Sequence, residues 1–162
     1  MSGNVRAGVQ LTLTRLFDAP RDLVFKTWID EKHLRAWWGP KGSDNGETRL
    51  DVRPGGQIFI EMRGPGFDHP MGGEFLEIEP PRRLVFLSKA FQNPDGSWKF
   101  INRNTVTFEE LGQKTKMTLH VIVQQADDGV EIPVTNMEMG WSGSLDRLHD
   151  LLTSLATTKE TP

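Results

Sequence analysis

Side chains that could carry out chemistry are few in this sequence, and they are not clustered along the chain. There is no cysteine, which excludes disulfides, thiolate metal ligands and a cysteine nucleophile. The histidines lack the HxH or HExxH spacing that places two imidazoles on one metal ion; they are His33, His69, His120 and His149. We therefore expect neither a metal site nor a bound cofactor.

Three ionisable residues on expected strands remain for acid–base catalysis, namely Glu61, Glu77 and His120. A carboxylic acid buried in an apolar cavity can act as a general acid or base. Carboxylates on strands more often occupy the face that water covers, so an enzyme would need at least one of the three to point inward. The strings RPGG (53–56) and GWSG (140–143) lack the context of a phosphate loop or a nucleophile elbow.

Aromatic residues carry the stronger signal, with five tryptophans, nine phenylalanines and no tyrosine. Trp37 and Trp38 end a short helical segment, and Trp141 stands near the start of a long one. We expect these tryptophans to line one mainly apolar cavity, together with residues of the strands and the long helix: Ile58, Ile60, Met62, Leu76, Phe86, Phe108, Met117, Leu119 and Leu145. The same pattern also fits a second interpretation, in which these side chains fill the core and leave no cavity.

The element that must position Trp141 is a helix predicted over residues 135–158. Thr135 and Glu138 have the spacing of a capping box, which predicts that the helix starts there. One apolar stripe follows at spacings of three and four residues and needs a sheet as its partner: Met137, Trp141, Leu145, Leu148, Leu152 and Leu155. Charged residues fall on the other faces and are expected in water: Asp146, Arg147 and Asp150.

Two glycines, Gly140 and Gly143, interrupt the first half of this helix. Glycine inside a helix costs about 1 kcal/mol relative to alanine. Either the helix packs closely against the sheet at these positions, or the small residues leave room for a ligand between helix and sheet.

The rest of the chain predicts seven strands and two short helices. Alternating apolar and polar residues predict strands at 9–17, 48–52, 57–63, 72–78, 84–91, 100–109 and 115–124. Helical segments at about 20–29 and 30–38 follow the first strand, and Gly39 with Pro40 ends the second segment. Short turns between consecutive strands make an antiparallel meander. We therefore expect an α+β fold, in which a curved sheet wraps around the long helix and the short helices close one end.

Several local strings occur in a recognisable order along the chain. They are DAPRDLVFKTWID (18–30), AWWGPKG (36–42), RPGG (53–56), GGEFLEIEPPRRLVF (72–86), NTVTFEE (104–110), KTKMTLH (114–120) and GWSGSLDRLHDLL (140–152). Together they resemble the activator of Hsp90 ATPase homologue 1-like (AHSA1-like) family of the START/polyketide cyclase/Bet v 1-like (SRPBCC) superfamily. The resemblance implies a helix-grip fold over nearly the whole chain. It does not imply one function, because the superfamily includes lipid carriers, metabolite binders and cyclases.

The resemblance and the aromatic pattern together favour a protein that binds a small apolar or aromatic molecule between sheet and helix. Two alternatives stay open. A cyclase- or hydrolase-like enzyme would use the same cavity with one of the three ionisable residues facing inward. A protein-interaction module linked to a chaperone would instead present an exposed apolar patch at the hairpin tips, including Phe67, Phe91 or Trp98.

Length and charge limit the remaining choices. At 162 residues we expect a single domain over 9–158, with flexible termini at 1–8 and 159–162. A net charge of −3 provides no electrostatic footprint for nucleic acid, and no apolar run is long enough for membrane insertion. The first residues lack the apolar core of a signal peptide, so a cytoplasmic location is expected. The sequence leaves open a homodimer formed through an edge strand or a loop.

Overall fold

The computed structural model describes residues 7–160, with side chains through residue 155. Its elements in chain order are β1 (Gln10–Phe17), α1 (Arg21–Ile29), α2 (Glu31–Trp37), β2 (Thr48–Leu50), β3 (Gln57–Gly64), β4 (Phe67–Glu79), β5 (Arg83–Gln92), β6 (Trp98–Leu111), β7 (Lys114–Ala126), α3 (Glu131–Thr135) and α4 (Met137–Glu160). The predicted order of one strand, two short helices, six strands and one long helix is confirmed, and α3 is an addition to it.

The seven strands form one antiparallel sheet in the order β1-β7-β6-β5-β4-β3-β2. From β2 to β7 each strand pairs with the next one along the chain, as expected for strands that short turns connect. β1 pairs with β7 in a register that places Leu13 opposite Leu119. The first strand therefore borders the last, and α2 comes to lie beside β2 at the opposite edge.

The sheet curves around α4, and its concave face supplies much of the hydrophobic core. Strand alternation decides which side chains face inward, and Ile60, Val106 and Leu119 are completely buried there. The apolar stripe of α4 is buried against this face: Met137, Trp141, Leu145, Leu148 and Leu152. The α+β helix-grip fold that the sequence predicted is confirmed.

β4 begins at Phe67 rather than at Gly72, because the hairpin before it is tighter than predicted. Gly64 pairs with Phe67 across a two-residue turn, in which Gly66 has a φ of +82°. Proline followed by glycine suits such a turn, since glycine adopts a positive φ without steric cost. His69, which falls between the predicted strands at 57–63 and 72–78, therefore lies within a strand.

The start of the long helix also differs from the prediction. Thr135, the predicted start, is the last residue of α3, a short helix between β7 and α4 that the sequence did not predict. α4 begins at Met137, and the Gly140 N–H donates a hydrogen bond of 2.9 Å to Asn136 O. Val134 of α3 is buried, so this short helix contributes to the core.

Arg147 of α4 was expected in water but is anchored to the protein. Its guanidinium donates two hydrogen bonds of 2.7 Å to backbone carbonyls of Ala36 and Trp38. Three longer bonds reach carbonyls of the loop that follows α2, at Gly39, Pro40 and Ser43. Burial lowers the pKa of the Arg147 guanidinium. This side chain fastens the middle of α4 to the end of α2.

Asp146 is also held by specific partners. It accepts a hydrogen bond of 2.9 Å from the Arg15 guanidinium on β1, and Lys41 lies 3.5 Å away. The hydrogen bond from Arg15 lowers the pKa of the Asp146 carboxyl group. The prediction that Arg147 faces water is therefore wrong, because α4 approaches the α2–β2 loop on that side, whereas the Asp146 side chain is paired and is still 44% exposed.

Part of the expected flexible termini lies within the described residues. The Gly8 N–H donates a hydrogen bond of 2.8 Å to Val123 O on β7, and α4 extends to Glu160. Residues 1–6 and 161–162 lie outside the described residues. No helix in the described part of the chain is both long and apolar enough to span a membrane.

Candidate functional site

A cavity of about 330 Å³ opens between the concave face of the sheet and the first turns of α4. We call it the open cavity. Its walls come from strands β3 to β6 on one side and from α4 on the other. Gly39 and Pro40 of the loop after α2, together with Pro133 of α3, complete the walls. Small-molecule sites have volumes of about 300–1,000 Å³, so the open cavity lies at the lower end of that range.

The helix wall of the open cavity consists of Met137, Gly140, Trp141 and Ser144. Spacings of three, four and seven residues place these side chains on one face of a helix. A carbon added at Gly140 would meet no atom within 4 Å, and one added at Gly143 would make only ordinary contact with the α2–β2 loop, at 3.8 Å. Close packing requires neither glycine, so the absence of a side chain at Gly140 instead leaves space in the cavity.

Aromatic rings form one side of the open cavity. The His69 ring lies 5.9 Å from the Phe67 ring and 5.1 Å from the Phe91 ring, measured between centroids, and the Phe91 ring lies 6.4 Å from that of Phe100. Phe91 has a φ of +61°, a left-handed conformation that costs a residue other than glycine on the order of 1–3 kcal/mol. This conformation interrupts the alternation of β5, and the Phe91 ring joins His69 in the cavity wall.

The amide of Asn102 on β6 is a deeply buried polar group of the open cavity. Asn102 is 7% exposed, and its Nδ2 donates to Met137 Sδ at 3.8 Å. Its Oδ1 is buried and has no hydrogen-bond partner among the described residues. A buried acceptor without a donor costs about 1–3 kcal/mol, so a donor that reaches this oxygen would recover that free energy.

A second asparagine follows on the same face of β6. Asn104 Nδ2 donates a hydrogen bond of 3.0 Å to the hydroxyl of Ser88, which lines the cavity. Asn104 Oδ1, like Asn102 Oδ1, has no partner within the described part of the chain. β6 thus presents two amides in succession on its concave face, between Phe100 and Val106.

Charge contributes little to this site. Lys89 belongs to the lining, and its Nζ lies 3.8 Å from Glu74 Oε1 on the neighbouring strand. Within residues 7–160, no group of three or more His, Cys, Asp or Glu side chains is placed to hold a metal ion. Apart from Lys89, the lining therefore offers apolar surface, aromatic rings and hydrogen-bonding groups.

The neighbouring part of the concave face, under α1 and α2, is closed by aromatic side chains, and we call it the packed part. The Trp28 ring lies 4.7 Å from the Trp37 ring and 6.0 Å from the Phe86 ring. A void of about 10 Å³ remains beside them, at the lower limit for holding one water molecule. The two short helices fill the space over this part of the concave face, because each inserts a tryptophan.

The structure divides the residues predicted to line a single cavity into separate groups. Three line the open cavity: Trp38, Met62 and Trp141. Three others border the small void in the packed part: Ile58, Ile60 and Phe86. Five are packed into the core with at most 2% exposure: Trp37, Phe108, Met117, Leu119 and Leu145. Both sequence interpretations, cavity and filled core, thus describe part of the molecule.

Leu76 belongs to none of these groups. The register between β4 and β5 shifts between Phe75 and Glu77, which makes Leu76 the extra residue of a β-bulge. Phe75, 1% exposed, is the core residue at this point, while Leu76 is half-buried. Strict alternation fails here because a bulge adds one residue to the strand.

Sequence reasoning missed most of the lining of the open cavity, including His69, Phe91, Phe100 and Asn102. For two of them a signal existed, because alternation counted back from Phe108 and Val106 reaches Asn102 and Phe100 on the same face. For Phe91 no such signal existed, since its position depends on an unusual φ that the residue type does not predict.

The ionisable residues considered for catalysis lie outside the open cavity. Glu61 and Glu77 have side chains that are 44% and 43% exposed, and each pairs with an arginine. His120 Nε2 forms a hydrogen bond of 2.9 Å with Gln10 on β1. His120 lies between the buried Leu119 and Val121, and Glu61 follows the buried Ile60. Glu77 also lies 3.8 Å from Arg103, which alternates with the inward-facing Asn102 and Asn104, so all three residues occupy the convex face of the sheet.

The aromatic residues considered for an exposed patch are each half-buried. Phe67 and Phe91 line the open cavity. Trp98 lies against Gly72, where an added side-chain carbon would come within 2.8 Å of the Trp98 ring. These three rings therefore do not form the expected patch at the hairpin tips.

Comparisons with known proteins indicate a family and a fold. The model of the family described as Activator of Hsp90 ATPase homolog 1-like protein matches residues 18–153. Protein CV1439 from Chromobacterium violaceum is 26% identical, with a TM-score of 0.74 over 88% of this chain and 96% of that one. A protein from Arthrobacter aurescens is 24% identical, with a TM-score of 0.80 over 91% of this chain and 87% of that one. At this level of identity, the second similarity concerns the fold alone. No curated protein matches the sequence at a significant level.

Proposed function

The chain belongs to the activator of Hsp90 ATPase homolog 1-like family, whose model covers residues 18–153, and from this premise we propose that it binds a small apolar or aromatic molecule. The fold is that of the START-like superfamily, which binds small hydrophobic ligands. The proposed site is the open cavity of about 330 Å³ between the sheet and the first turns of α4. That cavity is the observation that carries the proposal.

The composition of the lining supports binding by burial of apolar surface. Trp38, Phe91 and Trp141 offer flat rings for offset or edge contacts, and Met62 and Met137 have flexible side chains that adapt to a ligand. A ligand that buries roughly 300 Å² of apolar surface gains about 7.5 kcal/mol, from which the cost of immobilising it is subtracted. We expect dissociation constants in the micromolar range or weaker.

The two alternatives lack support of this kind. An acid–base enzyme in this cavity would need residues other than Glu61, Glu77 and His120, which occupy the convex face. A chaperone-linked interaction module would need an exposed patch other than the three half-buried aromatic residues at the hairpin tips.

Two substitutions at Gly140 test the proposed site with the neutral fluorescent dye N-phenyl-1-naphthylamine. Gly140→Ala adds one carbon to open space and is expected to preserve dye binding. Gly140→Leu places a branched side chain in the same space and is expected to weaken dye binding about tenfold or more. Both changes raise helix propensity, so both variants are expected to stay folded, and their difference in binding reports the occupied volume.

Dye fluorescence and the shift of the thermal midpoint on dye addition provide two independent readouts. Equal binding by the wild-type protein and Gly140→Leu would locate the dye elsewhere and contradict the site. Absence of dye binding by the wild-type protein, with no thermal stabilisation by a panel of neutral naphthalenes, would contradict the function.

A further inference from the structure

We propose that the ligand carries a neutral hydroxyl group on its apolar or aromatic body, and that this hydroxyl binds between Asn102 and Ser88. The inference rests on the proposed function and specifies the chemical class of the ligand. It is carried by two neighbouring polar side chains in a mainly apolar lining, the buried Asn102 and the half-buried Ser88.

Asn102 supplies the acceptor. Its side chain is more than nine-tenths buried and lines the open cavity, and Oδ1 lacks a partner among the described residues. The Nδ2 group faces the sulfur of Met137 at 3.8 Å, and thioether sulfur is a weak acceptor. Since buried acceptors in native proteins are nearly always satisfied, a donor from the cavity side is the missing partner. Rotation about χ2 of asparagine is soft, which allows the amide to align with that donor.

Ser88 supplies a donor at the adjacent position. Ser88 on β5 and Asn102 on β6 are direct partners in the antiparallel register, and both line the cavity. The Ser88 hydroxyl accepts the hydrogen bond from Asn104 Nδ2 at 3.0 Å, which leaves its own hydrogen available to donate. A ligand hydroxyl donates and accepts at once, so it can bond to both members of the pair.

The electrostatics of the lining favour a neutral group over an ion. An anion would face the carbonyl oxygen of Asn102, and the ammonium group of Lys89 in the lining already lies 3.8 Å from Glu74 Oε1. A cation would lose its hydration and would find no carboxylate in the lining among the described residues. Glu74, the partner of Lys89, is not part of the lining. Burying an unpaired charge is far more costly than burying a hydroxyl with two hydrogen-bond partners.

The test compares three ligands of similar shape in competition with N-phenyl-1-naphthylamine. 2-Naphthol can donate and accept, 2-methoxynaphthalene can only accept, and 2-methylnaphthalene can do neither. The wild-type protein is expected to bind 2-naphthol about tenfold more tightly than either analogue. Asn102→Leu, which has a similar volume and no polar atom, is expected to lose this preference and to bind 2-methylnaphthalene as tightly as the wild type or more tightly.

Gln124→Leu is the matched control, because Gln124 is an exposed amide on β7 that does not line the open cavity. It is expected to keep the tenfold preference. If Asn102→Leu does not fold, Ser88→Ala decides, since it removes the hydroxyl of the pair and is expected to reduce the preference for 2-naphthol severalfold.

Failure of this inference is distinct from failure of the proposed function. Equal affinities of the wild-type protein for all three naphthalenes, or an unchanged preference in Asn102→Leu or Ser88→Ala, would overturn the hydroxyl assignment and leave the cavity as a binding site. If neither the dye nor any naphthalene binds to the wild-type protein, the function and the assignment are both overturned.

Discussion

The concave face of the sheet has two parts that share one backbone architecture and differ in what fills them. Under α1 and α2, the rings of Trp28 and Trp37 leave a void of about 10 Å³. Under the first turns of α4, the open cavity measures about 330 Å³. In the walls of this cavity the helix contributes the small residues Gly140 and Ser144, and the sheet contributes Ser88. The difference teaches that the size of the side chains at facing positions, rather than the fold, decides how much space is left.

Trp38 separates the two parts. It lines both the open cavity and the small void, and its ring meets the Trp141 ring edge to face at 5.2 Å. Arg147 holds the backbone of this wall through its hydrogen bond to Trp38 O. Substitutions in the packed part, in the wall and at the outer surface of α4 should therefore lower the free energy of unfolding by different amounts.

The largest effect is expected from Trp28→Ala in the packed part. Removal of this buried ring is expected to lower the free energy of unfolding by about 3–5 kcal/mol, because its neighbours cannot close the space. Met62→Ala, at the border of the open cavity, is expected to cost less than about 2 kcal/mol, since Met62 is only partly buried. Urea denaturation of both variants measures the difference. Equal losses would mean that the two parts are packed alike.

An intermediate effect is expected from Arg147→Met. The substitution keeps the apolar stem and removes the guanidinium that donates to Ala36 O and Trp38 O. Hydrogen bonds to charged groups contribute about 1.5–3 kcal/mol, so we expect a loss of about 2 kcal/mol by urea denaturation. Arg53→Met, at a side chain that is 72% exposed, is the matched control and should change stability by less than about 0.5 kcal/mol. If the two variants behave alike, Arg147 does not hold the wall.

The smallest effect is expected from Asp146→Asn on the outer side of α4. The hydrogen bond from Arg15 holds the pKa of the Asp146 carboxyl below its usual value, so the charged form stabilises the fold. At pH 7 the variant should be less stable by no more than about 1 kcal/mol, because water screens this partly exposed pair.

The pH dependence of this difference has a defined sign. A depressed pKa contributes stability above the unfolded value of about 3.9, and this stability is lost as the pH falls through the folded-state pKa. The stability difference between the wild type and Asp146→Asn should therefore shrink below about pH 4. A difference that grows toward low pH, measured by urea denaturation across pH 3–7, would contradict this assignment.

Much of the fold could be predicted because its signals are local. Alternation of apolar residues identified each strand, and the stripe from Met137 to Leu152 identified the long helix and its buried face. The boundaries of elements were predicted wrongly where the alternation pattern did not reveal a turn or a short helix. Pro65 with Gly66 formed a tighter hairpin than expected, and α3, with its buried Val134, precedes the long helix.

The candidate site was only partly predictable. Trp38, Met62 and Trp141 were assigned to the cavity that they line, but Trp37 and Phe108 were assigned to the same cavity and lie in the packed core. Sequence periodicity specifies that a side chain faces inward and does not specify whether another side chain reaches it from across the sheet. Whether two such side chains touch depends on the packing of residues that are far apart in the chain.

The sequence by itself determined the order of strands and helices, the inward faces and the family, because periodicity, turns and local strings depend on neighbouring residues. Only the tertiary structure decided that the hollow is filled under α1 and α2 and empty under the start of α4. It also placed Ser88 beside Asn102 on adjacent strands. The physical reason is that empty volume and unpaired hydrogen-bonding groups arise from the relative positions of distant segments, which no local pattern records.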